Sequence, residues 1–412
     1  MRSFLGIFLL LSWGIALKAQ SDAYRFPAEW EEQQGVILSW DGELLRDTTT
    51  CRIVEALHQE IDVYLLIKHD SLLYKVKNKL SEYQIDVNRV KFIDSSPAFF
   101  WMRDPGPLFL KNNRGEQAVA CFQWSDYGIY NGVFSKQIMS QDDTLDGLTD
   151  EYFADYFKLP KIKSDIRFEG GAIDVNSTGT MLGIKDMALQ RNPGKSLAEI
   201  ELELKRVLGL KKIIWLSEGL IEDKYFPDLG PMVLNYFSWG ANMHVDEFCR
   251  FVNDTTVLFL KMSKEESKES PVNALNYPII EKNYKILQKA RTAEGKKLTI
   301  YRVPLPNFDL IVRTIQVDEK NVEFYGKFGH KVGDSVFDVP ASSYLNFLIS
   351  NESVLVAKYW KPGMPESQKQ KDTEVLELLQ KLFPTRKIIQ INPYGVNFGG
   401  GGIHCITQQI PR

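Results

Sequence analysis

The order of apolar and polar residues along this chain most restricts its fold, because short strand-like runs alternate with helix-like segments. The runs at 35–40 and 63–67 are apolar and too short to be typical helices. Other segments have apolar residues every three or four positions, as at 373–383, which indicates amphipathic helices. Such alternation is typical of an α/β fold. Helices are predicted at 51–60, 71–83, 149–157, 196–208, 274–290 and 373–383.

Four of the strand-like runs begin with a lysine and follow a helical segment. They start at Lys91, Lys212, Lys297 and Lys387, and three of them lead toward polar, glycine-rich sequence. Their unequal spacing excludes a regular solenoid, but it fits a pseudo-symmetric array of α/β units that share one central site. No linker rich in Pro, Ser or Gly divides the chain. One domain, residues 20–412, is therefore expected.

The first 19 residues have the composition of a bacterial signal peptide. Arg2 is followed by an almost entirely apolar run at 4–17, and Ala19 is a small residue before the expected cleavage site. The run is short for a membrane span, so an uncleaved anchor is the weaker alternative. We expect an exported protein, periplasmic or secreted, that has no membrane association after cleavage.

Charge and cysteine content exclude several classes of function. The formal net charge is −3, which gives no reason to expect nucleic-acid binding and is compatible with a cationic ligand. Cys51, Cys121 and Cys249 are interpreted as small buried apolar residues, with at most one disulfide among them. The five histidines and four cysteines form no cluster with metal-ligand spacing, so no metal is expected.

A glycine-rich turn near the end of the chain precedes a cysteine. The four glycines at 399–402, which include Gly401 and Gly402, allow a close backbone approach that residues with a Cβ resist. Such a loop suits contact with a ligand better than ordinary packing. Cys405 is therefore a candidate nucleophile.

Three upstream segments carry residues that could serve such a thiol. Asp104 follows Trp101 in Trp-Met-Arg-Asp-Pro-Gly-Pro, and Glu169 begins Glu-Gly-Gly-Ala-Ile-Asp. Both segments also fit ordinary turns. His244 and Asp246 lie two residues apart, and strand alternation would place them on the same side. A histidine satisfied within the core is the simpler reading of His244 taken alone.

Together these residues suggest chemistry on a guanidinium group. Asp104 and Asp246 could hold the planar cation at two edges, while Cys405 attacks its central carbon. His244 would protonate the departing ammonia and then deprotonate the hydrolytic water. His404 would face the opposite side from Cys405 in a strand, so His244 is the better partner. This chemistry needs neither a metal nor an organic cofactor.

The same motifs resemble the agmatine deiminase and bacterial (Porphyromonas-type) peptidylarginine deiminase family of guanidine-modifying enzymes. The resemblance runs from Phe-Pro-Ala-Glu-Trp-Glu at 26–31 to Ile-His-Cys-Ile-Thr-Gln-Gln at 403–409. It implies a five-bladed α/β propeller around a central site. It also implies Cys405 as nucleophile, His244 as acid and base, and Asp104 and Asp246 as guanidinium ligands. Glu169 and Trp101 match motif positions with supporting roles.

The resemblance leaves two substrate classes open. Agmatine is favoured by the terminal motif and by the seven residues that follow Cys405, whereas the signal peptide favours an arginyl peptide. A different cysteine hydrolase and a non-catalytic binding protein are the alternatives from other classes. Met243 stands where the family usually has glycine, and the aromatic stretch at 225–241 is either a lid or a packed surface loop.

Overall fold

The computed structural model describes residues 23–94, 99–130, 139–224 and 230–412. The signal peptide predicted at 1–19 lies outside these residues. Apart from short 3-10 turns, the helices are α1 (Leu44–Leu57), α2 (Leu73–Glu82), α3 (Gln141–Asp146), α4 (Thr149–Tyr156), α5 (Lys185–Arg191), α6 (Leu197–Leu208), α7 (Ile221–Lys224), α8 (Pro271–Lys289), α9 (Phe308–Ile311), α10 (Val322–Tyr325), α11 (Glu366–Leu382) and α12 (Tyr394–Asn397). Within the described ranges, no helix is long and apolar enough to cross a membrane.

The strands are short. They are β1 (Gln33–Ser39), β2 (Asp62–Ile67), β3 (Val90–Asp94), β4 (Leu108–Lys111), β5 (Gln117–Gln123), β6 (Lys161–Arg167), β7 (Asp174–Val175), β8 (Thr180–Ile184), β9 (Lys212–Leu216), β10 (Tyr236–Ser238), β11 (Cys249–Asn253), β12 (Thr256–Leu260), β13 (Thr299–Val303), β14 (Arg313–Gln316), β15 (Ser335–Val339), β16 (Leu348–Ile349), β17 (Ser353–Ala357), β18 (Lys387–Ile391) and β19 (Gln408–Pro411). Together with the helices they confirm the predicted α/β class.

Five sheets share one pairing pattern, in which an antiparallel pair of strands is extended by a parallel strand. They are β4-β5-β6, β7-β8-β9, β11-β12-β13, β16-β17-β18 and β19-β1-β2-β3. The four lysine-led runs correspond to β3, β9, β13 and β18, which confirms them as strands. The fifth counterpart, β6, was not among them. The five-bladed circular arrangement stays a prediction.

Local sequence explains why individual helices begin and end where they do. The Ser196 hydroxyl accepts a hydrogen bond from the Glu199 backbone N–H, and the Glu199 carboxylate accepts one from the Ser196 N–H. This capping box satisfies N–H groups that have no partner inside α6. The helix ends at Gly209, whose φ of 65° is left-handed and favours glycine.

The apolar core joins the repeated sheets. The largest cluster contains Leu108, Leu182, Phe259 and Val354, which come from four of the five sheets. A second cluster packs α1 against the β1-β2 pair. The start of the first strand in each sheet therefore has a fixed position, and each of these starts follows a short loop.

A sixth sheet, β10-β15-β14, contains part of the aromatic 225–241 segment. Tyr236 to Ser238 pair in parallel with Phe337 to Val339. The described part of the segment, 230–241, is thus packed in a sheet, while Trp239 is half exposed. The structure supports the packed-loop interpretation for this part, and residues 225–229 lie outside the description.

Candidate active site

Cys405 lies in a buried turn just before β19. A Cβ at Gly401 would come within 2.7 Å of the Trp101 ring and 2.9 Å of the Cys405 Sγ. A Cβ at Gly402 would come within 2.6 Å of the Asn346 Oδ1. The glycines therefore permit close approach, as predicted, but the groups that approach are protein side chains around the thiol.

The Cys405 sulfur is surrounded by polar groups. The Asn346 Nδ2 donates to Sγ at 3.0 Å, and oxygens of Glu247 and Asp246 lie 3.5 and 3.7 Å from it. Burial, reinforced by these two carboxyl groups and Asp104, raises the pKa of Cys405 well above its ordinary value. The thiol form therefore dominates near neutral pH until a cation or a hydrogen-bond donor offsets the negative surroundings.

His244 lies in an extended residue before a 3-10 turn, Val245–Glu247, so the predicted strand at this position is wrong. Asn242 and Met243 have φ values of 58° and 78°, in the left-handed region that favours glycine. This explains why a glycine suits the position of Met243. The Asp223 carboxylate holds the loop by accepting hydrogen bonds from the Ala241 N–H at 2.7 Å and the His244 N–H at 2.6 Å.

The His244 ring lies between two carboxylates. Its Nδ1 is 3.5 Å from Asp104 Oδ1, and its Nε2 is 3.7 Å from Glu169 Oε2. Burial alone lowers the pKa of this imidazole, but the two carboxylates outweigh burial and raise it to about 9. His244 is therefore an imidazolium at neutral pH. A Cβ at Gly171 would lie 2.4 Å from Nδ1, so only glycine leaves room for the ring.

Asp104 faces this imidazole from a loop just before β4. It accepts hydrogen bonds from the Tyr127 hydroxyl at 2.8 Å and the Gly171 N–H at 3.2 Å. Burial raises the pKa of Asp104 to about 6, although the His244 charge acts in the opposite direction. The carboxylate is therefore ionised at neutral pH and takes up a proton in mild acid.

Glu169 lies in the loop between β6 and β7 and is held by a buried arginine. The Arg191 Nε donates to Oε1 at 2.8 Å, and its NH2 group donates to the Ala241 and Asn242 carbonyls. Burial raises the pKa of Glu169, but the Arg191 charge and the nearby His244 lower it overall. One arginine thus fixes both an acidic residue and the loop that precedes His244.

Asp246 is held by His404 from the other side. The His404 Nδ1 lies 2.6 Å from Asp246 Oδ2, and its Nε2 lies 2.8 Å from Glu29 Oε2. Glu29 also accepts a hydrogen bond from Arg250 at 2.8 Å. The 403–406 segment is a turn, so the strand argument used for His404 is wrong. Its ring nevertheless engages two carboxylates and supports Asp246.

Several buried polar atoms at the site make no hydrogen bond within the described residues. They are Glu169 Oε2, Asp246 Oδ1 and both ring nitrogens of His244. A buried polar atom without a partner is costly, so such atoms mark positions where a polar ligand is stabilised. Two are acceptors on ionised groups, which favours a cation.

Most of the predicted site residues are brought to this one place. Asp104, Glu169, His244, Asp246 and Cys405 form a connected set, and the half-buried Trp101 packs against the glycine loop. Arg103 and Asp104 have different partners: Arg103 donates to the His404 carbonyl. Five contributing residues were not predicted, namely Tyr127, Arg191, Asp223, Glu247 and Asn346. Only Glu247, in the His-Val-Asp-Glu-Phe segment, had a signal in a quoted motif.

The thiol and two acids also form a possible metal-ligand group. Potential ligand atoms of Asp246, Glu247 and Cys405 all lie within 4.8 Å of one another. Sequence spacing could not reveal this group, because Cys405 is remote from the acids along the chain. The absence of a metal in this protein stays a prediction.

The family comparison covers nearly the whole described chain. A family model for Porphyromonas-type peptidyl-arginine deiminases matches residues 25–411. The chain belongs to this family. Its members are hydrolases that act on amidine-type bonds, so the prediction of a hydrolase is confirmed.

Similar sequences and structures carry related names. A Latilactobacillus sakei protein named "Putative agmatine deiminase" is 27% identical over 404 residues, covering 95% of this chain and 97% of the relative. A Vibrio parahaemolyticus protein of the same name is 28% identical over 402 residues, covering 95% and 97% of the two chains. The Enterococcus faecalis agmatine deiminase structure has a TM-score of 0.74 at 24% identity and covers 95% and 97%. A Porphyromonas gingivalis arginine deiminase structure has a TM-score of 0.68 at 20% identity and covers 95% and 99%. At these identities the two structures establish a shared fold.

Proposed function

We propose that this protein is a guanidine deiminase, with agmatine as its first expected substrate and N-carbamoylputrescine as the product. The observation that carries the proposal is the buried set of ionised carboxylates around a thiol and an imidazole. Asp246 and Glu169 each have an oxygen without a hydrogen bond, and Cys405 Sγ lies 3.7 Å from Asp246. A planar cation with several N–H donors satisfies these atoms together.

The proposed role of Asp104 and Asp246 is to hold the guanidinium at two edges. Both are fully buried, and each has a fixed orientation from other partners. Glu169 and the Trp101 ring have supporting roles beside the cation. Gly401 and Gly402 leave space for the close approach of the loop. The bound positive charge stabilises the thiolate of Cys405, which burial and carboxylates otherwise disfavour.

In the first half of the reaction, the Cys405 thiolate forms an S–C bond to the guanidinium carbon. One C–N bond then breaks, and the leaving nitrogen takes a proton from the His244 imidazolium and departs as ammonia. The raised pKa of His244, about 9, supports this role because the proton is present at neutral pH. The intermediate is an amidino group on sulfur.

In the second half, the now neutral His244 removes a proton from water. The water oxygen bonds to the same carbon, the S–C bond breaks, and Cys405 leaves as thiolate. The product is a ureido group, and His244 ends as the imidazolium with which it began. No electron transfer or cofactor enters this balance.

The substrate proposal rests on names of relatives as well as on chemistry. Both curated relatives described above are named for agmatine, which supports a small cationic guanidine. The family model is named for peptidyl-arginine, so arginyl peptides with a citrulline product are the second candidate. Met243 lies next to His244 and is buried, so it is expected to shape the wall of the pocket.

We also propose that the five similarly paired sheets form a five-bladed propeller in one catalytic domain, 20–412. Pairing of β19 with β1 supports closure, because it joins the end of the chain to its beginning. Export to the periplasm or medium is proposed from the sequence of residues 1–19. N-terminal sequencing of protein recovered from a periplasmic fraction and medium tests both cleavage and export.

The function is tested by ammonia release from agmatine, free arginine and a peptide with C-terminal arginine, measured in parallel. We expect agmatine to have the highest kcat/KM and Cys405→Ala to abolish turnover. Cys249→Ala is the matched control, since it removes a buried thiol remote from Asp246. A deiminase is refuted if folded protein forms no ureido product from any of the three.

A further inference from the structure

We propose that Asn346 is a positioning residue that orients the Cys405 thiol and stabilises its thiolate. The role serves the reaction proposed above, but it makes a claim about the sulfur that is measurable without any guanidine. None of the sequence motifs contains Asn346, and it enters the site only through the fold.

The repeated sheets give the first argument. A site residue precedes the first strand of four of the five sheets: Asp104 before β4, Glu169 before β7, Asp246 before β11, and Cys405 before β19. The first strand of the remaining sheet, β16, begins at Leu348, two residues after Asn346. Asn346 therefore occupies the corresponding position in the fifth unit and reaches the same centre.

The contacts of the Asn346 carboxamide give the second argument. Its Oδ1 accepts hydrogen bonds from the backbone N–H groups of His404 at 2.8 Å and Cys405 at 3.2 Å. Its Nδ2 donates to Cys405 Sγ at 3.0 Å and to Glu247 Oε1 at 2.9 Å. One buried amide thus fixes both the backbone and the sulfur of the nucleophile.

The charges around the sulfur explain why this donor matters. The carboxyl groups of Asp104, Asp246 and Glu247 all disfavour the thiolate, and the guanidinium of Arg103 is the charged group that opposes them. Against this background a side-chain N–H donor to Sγ is stabilising. Hydrogen bonds to charged groups are stronger than those to neutral groups. Losing the donor should therefore reduce the thiolate fraction at a given pH.

Gly402 makes the arrangement possible. A Cβ at this position would lie 2.6 Å from Asn346 Oδ1 and 3.0 Å from its Cβ. The glycine therefore has a defined function, which is to let the carboxamide reach Cys405. Gly402→Ala should displace the carboxamide while leaving Asn346 in the sequence.

The test measures the rate of Cys405 alkylation by iodoacetamide from pH 6 to 10, with the modified peptide quantified by mass spectrometry. In Asn346→Ala and Asn346→Asp we expect rates at pH 8 to fall about 10-fold or more, the order set by loss of a charge-assisted hydrogen bond. The pH profile should also move to higher pH. With agmatine, kcat should fall more than KM rises, because the guanidinium is held by other residues.

The matched control is Asn283→Ala, which removes another buried asparagine whose partners are Ser217 and Glu218. It should leave the alkylation profile unchanged. Gly402→Ala provides a second route if the Asn346 variants do not fold, as judged by circular dichroism, and should shift the profile in the same direction. Folded variants with a wild-type profile, or an equal shift in the control, would overturn the proposal. Absence of deiminase activity in wild type would leave this readout intact.

Discussion

Replacing Asp104 by asparagine should convert His244 from an imidazolium to a neutral imidazole at pH 7.5. The two side chains face each other with 3.5 Å between Nδ1 and Oδ1, and both are buried. Asparagine keeps the size and an acceptor oxygen for the Gly171 N–H, but it removes the negative charge. The expected result is a fall in the pKa of His244 from about 9 to below 7.

The magnitude follows from the distance and from burial. Two unit charges 3.5 Å apart attract by about 5 kcal/mol at an effective dielectric constant of about 20. Since about 1.4 kcal/mol corresponds to one pKa unit, this attraction is worth roughly 3 to 4 units. The raised pKa of His244 lies above the model value of 6.5 by less than that amount. Loss of Asp104 therefore lets burial dominate, even with Glu169 still present.

The assay is an NMR titration of ring-labelled histidine in wild type and Asp104→Asn, with His244 assigned by its own substitution. The chain has five histidines, which keeps the spectrum tractable. Asp372→Asn is the control, because Asp372 is buried but bonds to Tyr344 and backbone groups elsewhere. It should leave the His244 titration unchanged. If His244 still titrates near pH 9 without Asp104, the electrostatic account of the site is wrong.

Three further outcomes are expected. Gly171→Ala places a Cβ 2.4 Å from His244 Nδ1 and should lower kcat about 100-fold, since small misplacements at a reacting centre have effects of this order. Arg191→Met leaves a buried carboxylate unpaired and should lower the free energy of unfolding by about 3–5 kcal/mol in urea titrations. For a cationic guanidine, kcat/KM should fall as pH drops through about 6, because Asp104 then gains a proton and loses its charge.

Each of these outcomes has a clear contrary result. Gly326→Ala, where an added Cβ meets nothing within 4 Å, should behave like wild type; an equal loss there would show a general fold effect. A change below about 1 kcal/mol in the Arg191 variant would mean that the buried pair is relaxed or hydrated. A kcat/KM that stays flat to pH 5 would exclude Asp104 as an ionised ligand with a raised pKa.

Periodicity predicted much of the fold, because burial imposes it on the sequence. The predicted helix 196–208 matches α6, where the capping residues are local. Helix 51–60 was placed too late, since α1 runs from Leu44 to Leu57. Its start has no side-chain cap, and exposed Leu44 and Leu45 obscure the amphipathic pattern. The fifth parallel strand, β6, was not predicted as part of the repeat because its pattern is mostly polar and half exposed.

The loops around the site resisted prediction for a different reason. His244 and Cys405 were treated as strand residues, yet both lie in turns fixed by distant side chains. Left-handed φ angles at Asn242 and Met243 have no glycine to announce them. Tertiary contacts from Asp223 and Arg191 stabilise that backbone. Local propensity could not indicate these conformations.

The sequence by itself determined the α/β class, the family and the set of reactive residue types, because motifs and periodicity are local properties. Only the tertiary structure decided which groups face one another. It put His244 between Asp104 and Glu169, gave His404 to Asp246 and Glu29, and brought Asn346 to the thiol. Protonation states depend on such distances and on burial. The chemistry of Cys405 is therefore set by loops that meet only when the five similarly paired sheets have packed.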